Sequence, residues 1–190
     1  MLKKTIVAAL TLGVFSNAAF ATEFQDKQAI MKMMNQYINA VACATSKVEL
    51  KDIVNIHPPE EDYTGSTYYV LWSGDKGCEG GSGTMSAYIS EVSRYSKSRP
   101  FLVNTDDALG DNNEKAWATR SSFTNYRFIN SMKKTQDGLL EIVSWNYADD
   151  IYGGKDGGNN FPANKFKYTL ALDEESGWKV IKQVLLEQNK

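Results

Sequence analysis

The sequence contains few of the residues that bind transition metals or act as thiol nucleophiles. It has one histidine and two cysteines among its 190 residues. A structural zinc site takes four ligands, mostly cysteine and histidine, so this set is too small to form one. Neither cysteine has a neighbouring residue that would activate it as a nucleophile. The sequence therefore predicts no metal ion and no cofactor.

The chain also lacks an excess of positive charge. Its 21 lysines and arginines are outnumbered by 23 aspartates and glutamates, which gives a formal net charge of −2 at pH 7. A mildly acidic protein is poorly suited to bind nucleic acid or an anionic membrane surface. Neither is expected as its main partner.

Residues 1–21 have the three parts of a bacterial secretory signal peptide. Met1–Lys4 is basic, Thr5–Phe15 is mostly apolar, and Ala19–Ala21 supplies small residues for cleavage. The apolar run is shorter than the roughly 20 residues that a membrane span needs, so no membrane insertion is expected after cleavage. The pattern predicts a Sec-exported protein, periplasmic or secreted, whose residues 22–190 form a single domain.

Helical periodicity begins directly after this leader. Apolar residues at helical spacing predict a helix over Glu23–Ala44, with Thr22 opening a capping box at its start. A second capping box predicts a short helix over Lys47–Ile56. The apolar spacing of Met85–Tyr95 predicts a third helix. For the second and third segments a strand is the alternative.

The rest of the chain is typical of β-strands, because β-branched and aromatic residues recur between turn signals. The sequence Asp137-Gly138 indicates a hairpin. The predicted strands are Thr67–Trp72, Phe101–Asn104, Lys115–Phe128, Leu139–Tyr147, Phe166–Leu172 and Trp178–Leu186. The predicted fold class is α+β, with N-terminal helices on a mainly antiparallel sheet. The polar loop Ala148–Ala163 is long enough to suggest a functional role.

Two cysteines in an exported chain most simply form one disulfide bond. Cys43 lies at the end of the first predicted helix, and Cys78 lies in a glycine-rich stretch. That stretch lacks the Gly-Lys-Ser/Thr ending of a phosphate-binding loop. The sequence therefore predicts a loop that is held by a Cys43–Cys78 bond.

Several stretches resemble the nuclear-transport-factor-like superfamily, which includes the ketosteroid-isomerase-like and SnoaL-like proteins. They are Met34–Val41 with Leu50–His57, Glu114–Ser121, and Lys167–Leu172 with Gly177–Ile181. The resemblance spans most of residues 22–190. It implies a curved, cone-like sheet around a helix, with an apolar pocket at the open end and a homodimer in some relatives.

The resemblance also suggests candidate catalytic residues. Catalytic members carry a tyrosine on the first helix, which Tyr37 matches, and a carboxylate after the second helix, which Glu60, Glu61 or Asp62 could supply. They also carry an acid on a late strand, but Phe166–Leu170 contains none. His57 is a further candidate because histidine titrates near neutral pH. A core tyrosine, a helix-end histidine and a solvated acidic turn are the structural alternatives.

Three functions remain open at this point. The missing late acid favours a non-catalytic exported protein that binds a small ligand or a cell-envelope protein through a concave sheet. The alternative is a dehydratase or isomerase that uses Tyr37 with His57 or a nearby carboxylate. A purely structural envelope protein is the third possibility. Fold resemblance alone does not choose between them.

Overall fold

The computed structural model describes a helix-and-sheet protein over most of its length. The described backbone covers residues 12–57, 65–81, 83–118, 123–155, 157–158, 160–173, 175 and 177–189. Within these residues the chain forms a long helix, α1 (Leu12–Val41), and a short helix, α2 (Asp111–Ala118). No helix among the described residues is long and apolar enough to cross a membrane.

The strands form two antiparallel sheets, each built from one half of the chain. The first contains β1 (Ala42–Cys43), β2 (Ile53–His57), β3 (Ser66–Lys76), β4 (Ser86–Arg94) and β5 (Leu102–Thr105). The second contains β6 (Ile129–Lys134), β7 (Leu140–Asn146), β8 (Asn164–Asp173) and β9 (Gly177–Gln188). In the first sheet β3 pairs with β1, β2 and β4, and in the second the strands pair in sequence order.

Strand β3 separates two hydrophobic cores, because successive side chains of a strand point to opposite faces. Tyr68, Val70 and Trp72 belong to the core that includes α1, whereas Tyr69 and Leu71 belong to the core shared with the second sheet. The molecule is an α+β protein in which one N-terminal helix packs on a strongly curled, half-barrel β-layer. This confirms the predicted fold class, with one N-terminal helix instead of several.

An apolar stripe places α1 on the first sheet. Ile30, Met34 and Ile38 recur every four residues, which puts them on one helical face, and each is at most 1% exposed. The prediction of a helix through this region is confirmed. The capping box at Thr22 is wrong, because the helix already begins at Leu12 and Thr22 lies inside it.

The predicted helix over Lys47–Ile56 is wrong. A single 3₁₀ turn, Leu50–Asp52, is followed at once by β2, which pairs with β3. Ser46, which opened the predicted capping box, instead accepts a hydrogen bond from the Ser73 backbone N–H of β3 at 2.8 Å. The single turn is capped by Glu49, whose backbone N–H donates to the Asp52 carboxylate at 2.9 Å. The β-branched pair Ile53 and Val54 then favours the strand, because pairing with β3 buries both side chains.

The predicted helix over Met85–Tyr95 is also wrong, since this segment is β4. Both faces of β4 are buried, so its apolar residues do not alternate simply with polar ones. Ala87 and Ile89 join the core toward the second sheet, whereas Val92 joins the core under α1. Side chains on both faces produced a pattern that also fits helical spacing.

The long strand predicted over Lys115–Phe128 is not present in the described residues. Its first part lies in α2, its last part forms a 3₁₀ turn over Tyr126–Phe128, and residues 119–122 lie outside the described part of the chain. Asn125 caps this turn through its side-chain oxygen, which accepts from the Arg127 backbone N–H at 3.1 Å. The chain therefore forms a turn that is capped by a polar side chain, where the sequence had predicted a strand.

The remaining strand predictions are confirmed, although their ends shift by a few residues. The hairpin at Asp137-Gly138 joins β6 to β7, and a second hairpin joins β8 to β9. The Cys43–Cys78 disulfide is also confirmed, with Cα atoms 5.0 Å apart. It connects the chain just after α1 to the turn that follows β3.

The polar loop between β7 and β8 is partly ordered by one aspartate. Asp149 accepts hydrogen bonds from the backbone N–H groups of Ile151 and Tyr152 at 2.9 and 2.6 Å. Tyr152 packs against the core between the sheets. These contacts give the described part of the loop an anchoring role, because they hold its start against the second sheet.

Candidate functional site

Asp106 is the centre of a hydrogen-bond network that joins α1 to the first sheet. It follows β5 directly in the sequence. Its carboxylate accepts from the Tyr37 hydroxyl at 2.8 Å, the Lys76 ammonium at 2.6 Å and the Ser90 hydroxyl at 2.6 Å. The network therefore brings together residues from α1, β3 and β4 that are far apart in sequence.

Aromatic rings pack around this network. The Trp72 indole donates to the Ser90 hydroxyl at 2.8 Å, and its ring stacks on Tyr88 with centroids 4.5 Å apart. Tyr37 meets the same indole edge-on at 6.5 Å. The Lys76 ammonium lies 5.6 Å from the centroid of the Tyr88 ring. Packing and hydrogen bonding thus fix the orientation of the Asp106 carboxylate.

The network shifts the ionisation of its members. Burial alone would raise the pKa of Asp106, but the hydrogen bonds from Lys76, Ser90 and Tyr37 outweigh burial and hold that pKa below its ordinary value. Burial, together with the Asp106 carboxylate, raises the pKa of Tyr37 to about 12. At neutral pH Asp106 is therefore an ionised acceptor, and Tyr37 is a neutral donor.

Asp107 makes a separate set of contacts, on the side of the second sheet. Its carboxylate accepts a short hydrogen bond from the Tyr126 hydroxyl. The same hydroxyl accepts from the Leu109 backbone N–H at 3.1 Å. Burial, followed by the contact with Asp107, raises the pKa of Tyr126. Two consecutive aspartates are therefore held by two different tyrosines.

A cavity of about 500 Å³ lies against both aspartates, and we call it the aspartate pocket. Its described lining consists of Ser86, Ala87, Tyr88, Asp106, Asp107, Asn113, Thr124, Asn125 and Tyr126. This volume is within the range of small-molecule sites. The buried Thr124 hydroxyl has no hydrogen-bond partner among the described residues. Since buried hydroxyl groups are normally paired, Thr124 marks a place for a polar ligand atom.

A second cavity, of about 520 Å³, lies beside the first, and we call it the arginine cleft. It shares Ser86 and Ala87 with the aspartate pocket. Its other lining residues include Arg127, Phe128, Trp145, Asn160, Phe161 and Glu187. The Arg127 side chain donates to the Asn160 side-chain oxygen, and its guanidinium lies 5.5 Å from the Phe128 ring centroid.

Two of the predicted catalytic residues, Tyr37 and His57, are described, and the structure does not bring these two together. Tyr37 meets a carboxylate, but that carboxylate is Asp106. His57 is exposed and pairs with Thr67 on β3, five residues before Trp72, which is roughly 17 Å along the strand. Asp62, with the neighbouring acids of Glu60–Asp62, lies outside the described residues.

The sequence analysis missed Asp106 and Asp107, which are the central residues of the site. They follow a short predicted strand, and consecutive acids at such a position could have marked a loop site. Among the described residues no group of three or more histidine, cysteine, aspartate or glutamate side chains could hold a metal ion. The described site therefore consists of carboxylates, amides, hydroxyls and aromatic rings.

No family model, curated protein or solved structure matches this chain. The resemblance to the nuclear-transport-factor-like superfamily therefore stays a prediction. The function has to be argued from the site itself.

The low pKa of Asp106 predicts a specific loss of stability in acid. Because the folded pKa lies below the ordinary value of 3.8, Asp106 stabilises the fold fully above about pH 5 and loses that contribution as the pH falls through 3.8 toward the folded pKa. Asp106→Asn should lower the unfolding free energy at pH 7 by at least about 1 kcal/mol. The difference from wild type should shrink in acid.

Urea titrations from pH 7 to pH 3 would measure this, with the exposed turn variant Asp137→Asn as control. A difference that stays constant down to pH 3 would contradict the assignment.

Proposed function

We propose that this chain is an exported, non-catalytic protein that binds a small cationic ligand in the aspartate pocket. The leader pattern and the disulfide bond support export, since disulfides persist in oxidising compartments. The observation that carries the binding proposal is the pair of consecutive carboxylates, Asp106 and Asp107, on the wall of a cavity of about 500 Å³.

The charge of the pocket favours a cation. The described residues that line it include two carboxylates and no basic side chain. Lys76, from outside the lining, balances Asp106 through its ammonium at 2.6 Å. Asp107 has no cationic partner among the described residues, so one negative charge remains for the ligand.

The hydrogen-bonding capacity of the pocket favours a ligand that donates. Asp106 already accepts three hydrogen bonds, whereas Asp107 accepts only one from a described side chain, that of Tyr126. The second Asp107 oxygen is therefore a ready acceptor for an ammonium group. Tyr126 adds aromatic surface, and the face of an aromatic ring attracts a cation.

The same ionisation states argue against proton-transfer catalysis. General acids and bases work best when their pKa lies near the working pH. The Tyr37 pKa of about 12 and the lowered Asp106 pKa move both groups away from neutrality. The alternative is a dehydratase or isomerase that uses Tyr37 with His57 or a nearby carboxylate, and Asp106 is the carboxylate to which Tyr37 donates. The envelope-protein partner and the homodimer stay predictions.

Three ligands of equal size but different charge test the proposal: n-butylammonium, n-butanol and butyrate. Binding is followed by ¹H–¹⁵N chemical shifts of the purified protein. The ammonium should bind most tightly and butyrate least. Asp107→Asn keeps an oxygen acceptor for Tyr126 but removes the charge, so it should weaken butylammonium binding by about 1.5–3 kcal/mol, which is roughly 10- to 150-fold.

The matched control is Asp137→Asn. Asp137 is an exposed residue of the β6–β7 turn, so the control variant loses the same charge away from the pocket. It should bind butylammonium as wild type does. Equal binding of butanol and butylammonium, or an unchanged affinity in Asp107→Asn, would refute the proposal.

A further inference from the structure

We infer that the aspartate pocket and the arginine cleft are two ends of one site, in which a short extended peptide lies along the open edge of β4. This inference rests on the proposed function, because it takes the cation bound at Asp107 to be the N-terminal ammonium of the peptide.

The first observation is an edge of β4 that is only partly paired. On one side β3 pairs with β4 along its whole length, from Ser86 to Arg94. On the other side β5 pairs with residues from Glu91 onward, and a single bridge joins Ile89 to Asp107. No described strand pairs with residues 86–88 on that side. A strand edge of this kind can accept an added strand through its backbone N–H and C=O groups.

The second observation is that the start of β4 lines both cavities. Ser86 and Ala87 line both of them, Tyr88 continues the lining of the aspartate pocket, and Met85 continues that of the arginine cleft. A ligand that contacts Ser86 and Ala87 therefore borders both cavities. Cavities of about 500 and 520 Å³ leave room for an extended chain.

The third observation is that the two ends carry opposite charge. Asp107 gives the aspartate pocket its acceptor, and Arg127 gives the arginine cleft its cation. Glu187, the acid in the described lining of the cleft, lies 3.5 Å from the ammonium of Lys165. Arg127 forms no ion pair with a described carboxylate. A free peptide has an ammonium at one end and a carboxylate at the other, and arginine binds carboxylates in a bidentate manner.

Two further features suit a peptide. The unpaired Thr124 hydroxyl on the pocket wall offers a partner for a backbone N–H or C=O group. Phe161, which is 66% exposed, and Trp145 give the cleft apolar surface for a side chain. An extended tripeptide spans roughly 10 Å, so three residues reach past the three unpaired positions of β4.

Calorimetry with trialanine and two capped forms tests this inference. Trialanine should bind wild type at least tenfold more tightly than n-butylammonium does. N-acetyl-trialanine lacks the ammonium, so wild type should bind it roughly tenfold or more weakly than trialanine. Asp107→Asn should show no comparable difference in affinity between the two peptides. Trialanine amide lacks the carboxylate, so wild type should bind it roughly tenfold more weakly than trialanine. Arg127→Gln should show no comparable difference in affinity between the two peptides. Arg99→Gln removes an arginine from an exposed turn and should behave as wild type.

The outcomes separate the two proposals. If butylammonium binds but trialanine binds no more tightly, and amidation has no effect, the peptide inference is overturned while the proposed function stands. If neither probe binds, both are overturned. The amidated probe tests the arginine end on wild-type protein, so the result does not depend on whether Arg127→Gln folds.

Discussion

Replacing Asp26 with alanine should lower the free energy of unfolding by about 3–5 kcal/mol, the loss expected when one partner of a buried ion pair is removed. Asp26 lies on α1 and is 6% exposed. It accepts from the Arg94 guanidinium at 2.5 Å and from the Tyr68 hydroxyl at 3.2 Å. Arg94 also lies over the Phe101 ring, with the guanidinium carbon 4.6 Å from its centroid. Without Asp26 the guanidinium stays buried and has no opposite charge.

Urea denaturation measures the effect, and Glu23→Ala is the matched control. Glu23 is on the same helix and pairs with Lys27 at 2.9 Å, but this pair is partly exposed and should contribute at most about 0.5 kcal/mol. The double variant Asp26→Leu with Arg94→Met should recover much of the loss, because apolar residues of similar size often replace a buried pair without net cost. A loss below 1 kcal/mol in Asp26→Ala would show that the pair does not fix α1.

Removing the disulfide should have the second largest effect. The bond closes a loop between residues 35 positions apart, for which the chain-entropy model gives about 3.8 kcal/mol. The loss arises mainly in the unfolded state, because the open chain gains conformational freedom. A backbone hydrogen bond from Gly77 to Val41 at 3.0 Å still joins the two segments when the sulfurs are separated. We therefore expect the folded structure to persist with lower stability.

The double variant Cys43→Ser with Cys78→Ser, unfolded in urea, provides the measurement. Wild type that has been reduced and alkylated should show the same loss, which separates the bond from the side-chain change. Either single variant leaves an unpaired thiol, so the double variant is the cleaner comparison. An unchanged unfolding free energy in both samples would contradict the entropic explanation.

The hairpins of the second sheet could be predicted because their signals are local. The Asp137-Gly138 turn and the β8–β9 turn each join strands that are neighbours in sequence, and β7 and β8 each bury one face. Alternation therefore shows clearly in β8, where Phe166, Tyr168 and Leu170 are buried and their neighbours are partly exposed. Local turn chemistry and a one-sided strand are sufficient for such a prediction.

The first sheet was harder to predict because β3 and β4 are buried on both faces. When both faces are apolar, a strand loses its alternation, and helical spacing can appear by coincidence, as it did in β4. In the Lys47–Ile56 segment the predicted cap, Ser46, contacts β3 instead, and the only turn formed there is capped by Glu49. The pairing with β3 decided the outcome, and a tertiary contact of this kind is not visible in the segment itself.

The candidate site was only partly predictable for the same reason. Tyr37 was identified by its position on the helix, but its partner Asp106 lies 69 residues further along the chain. Lys76 and Ser90, which complete the network, lie on strands whose relative placement depends on the whole fold. No local motif encodes such a cluster, so its residues could be recognised only after the elements were placed in space.

The division of the two sheets between the two halves of the chain has a consequence for the folding rate. Every strand of either sheet finds its partner within the same half, so most pairings require the closure of short loops. The docking of one completed sheet on the other then becomes the step that joins distant segments, and the speed of this step should set the overall rate.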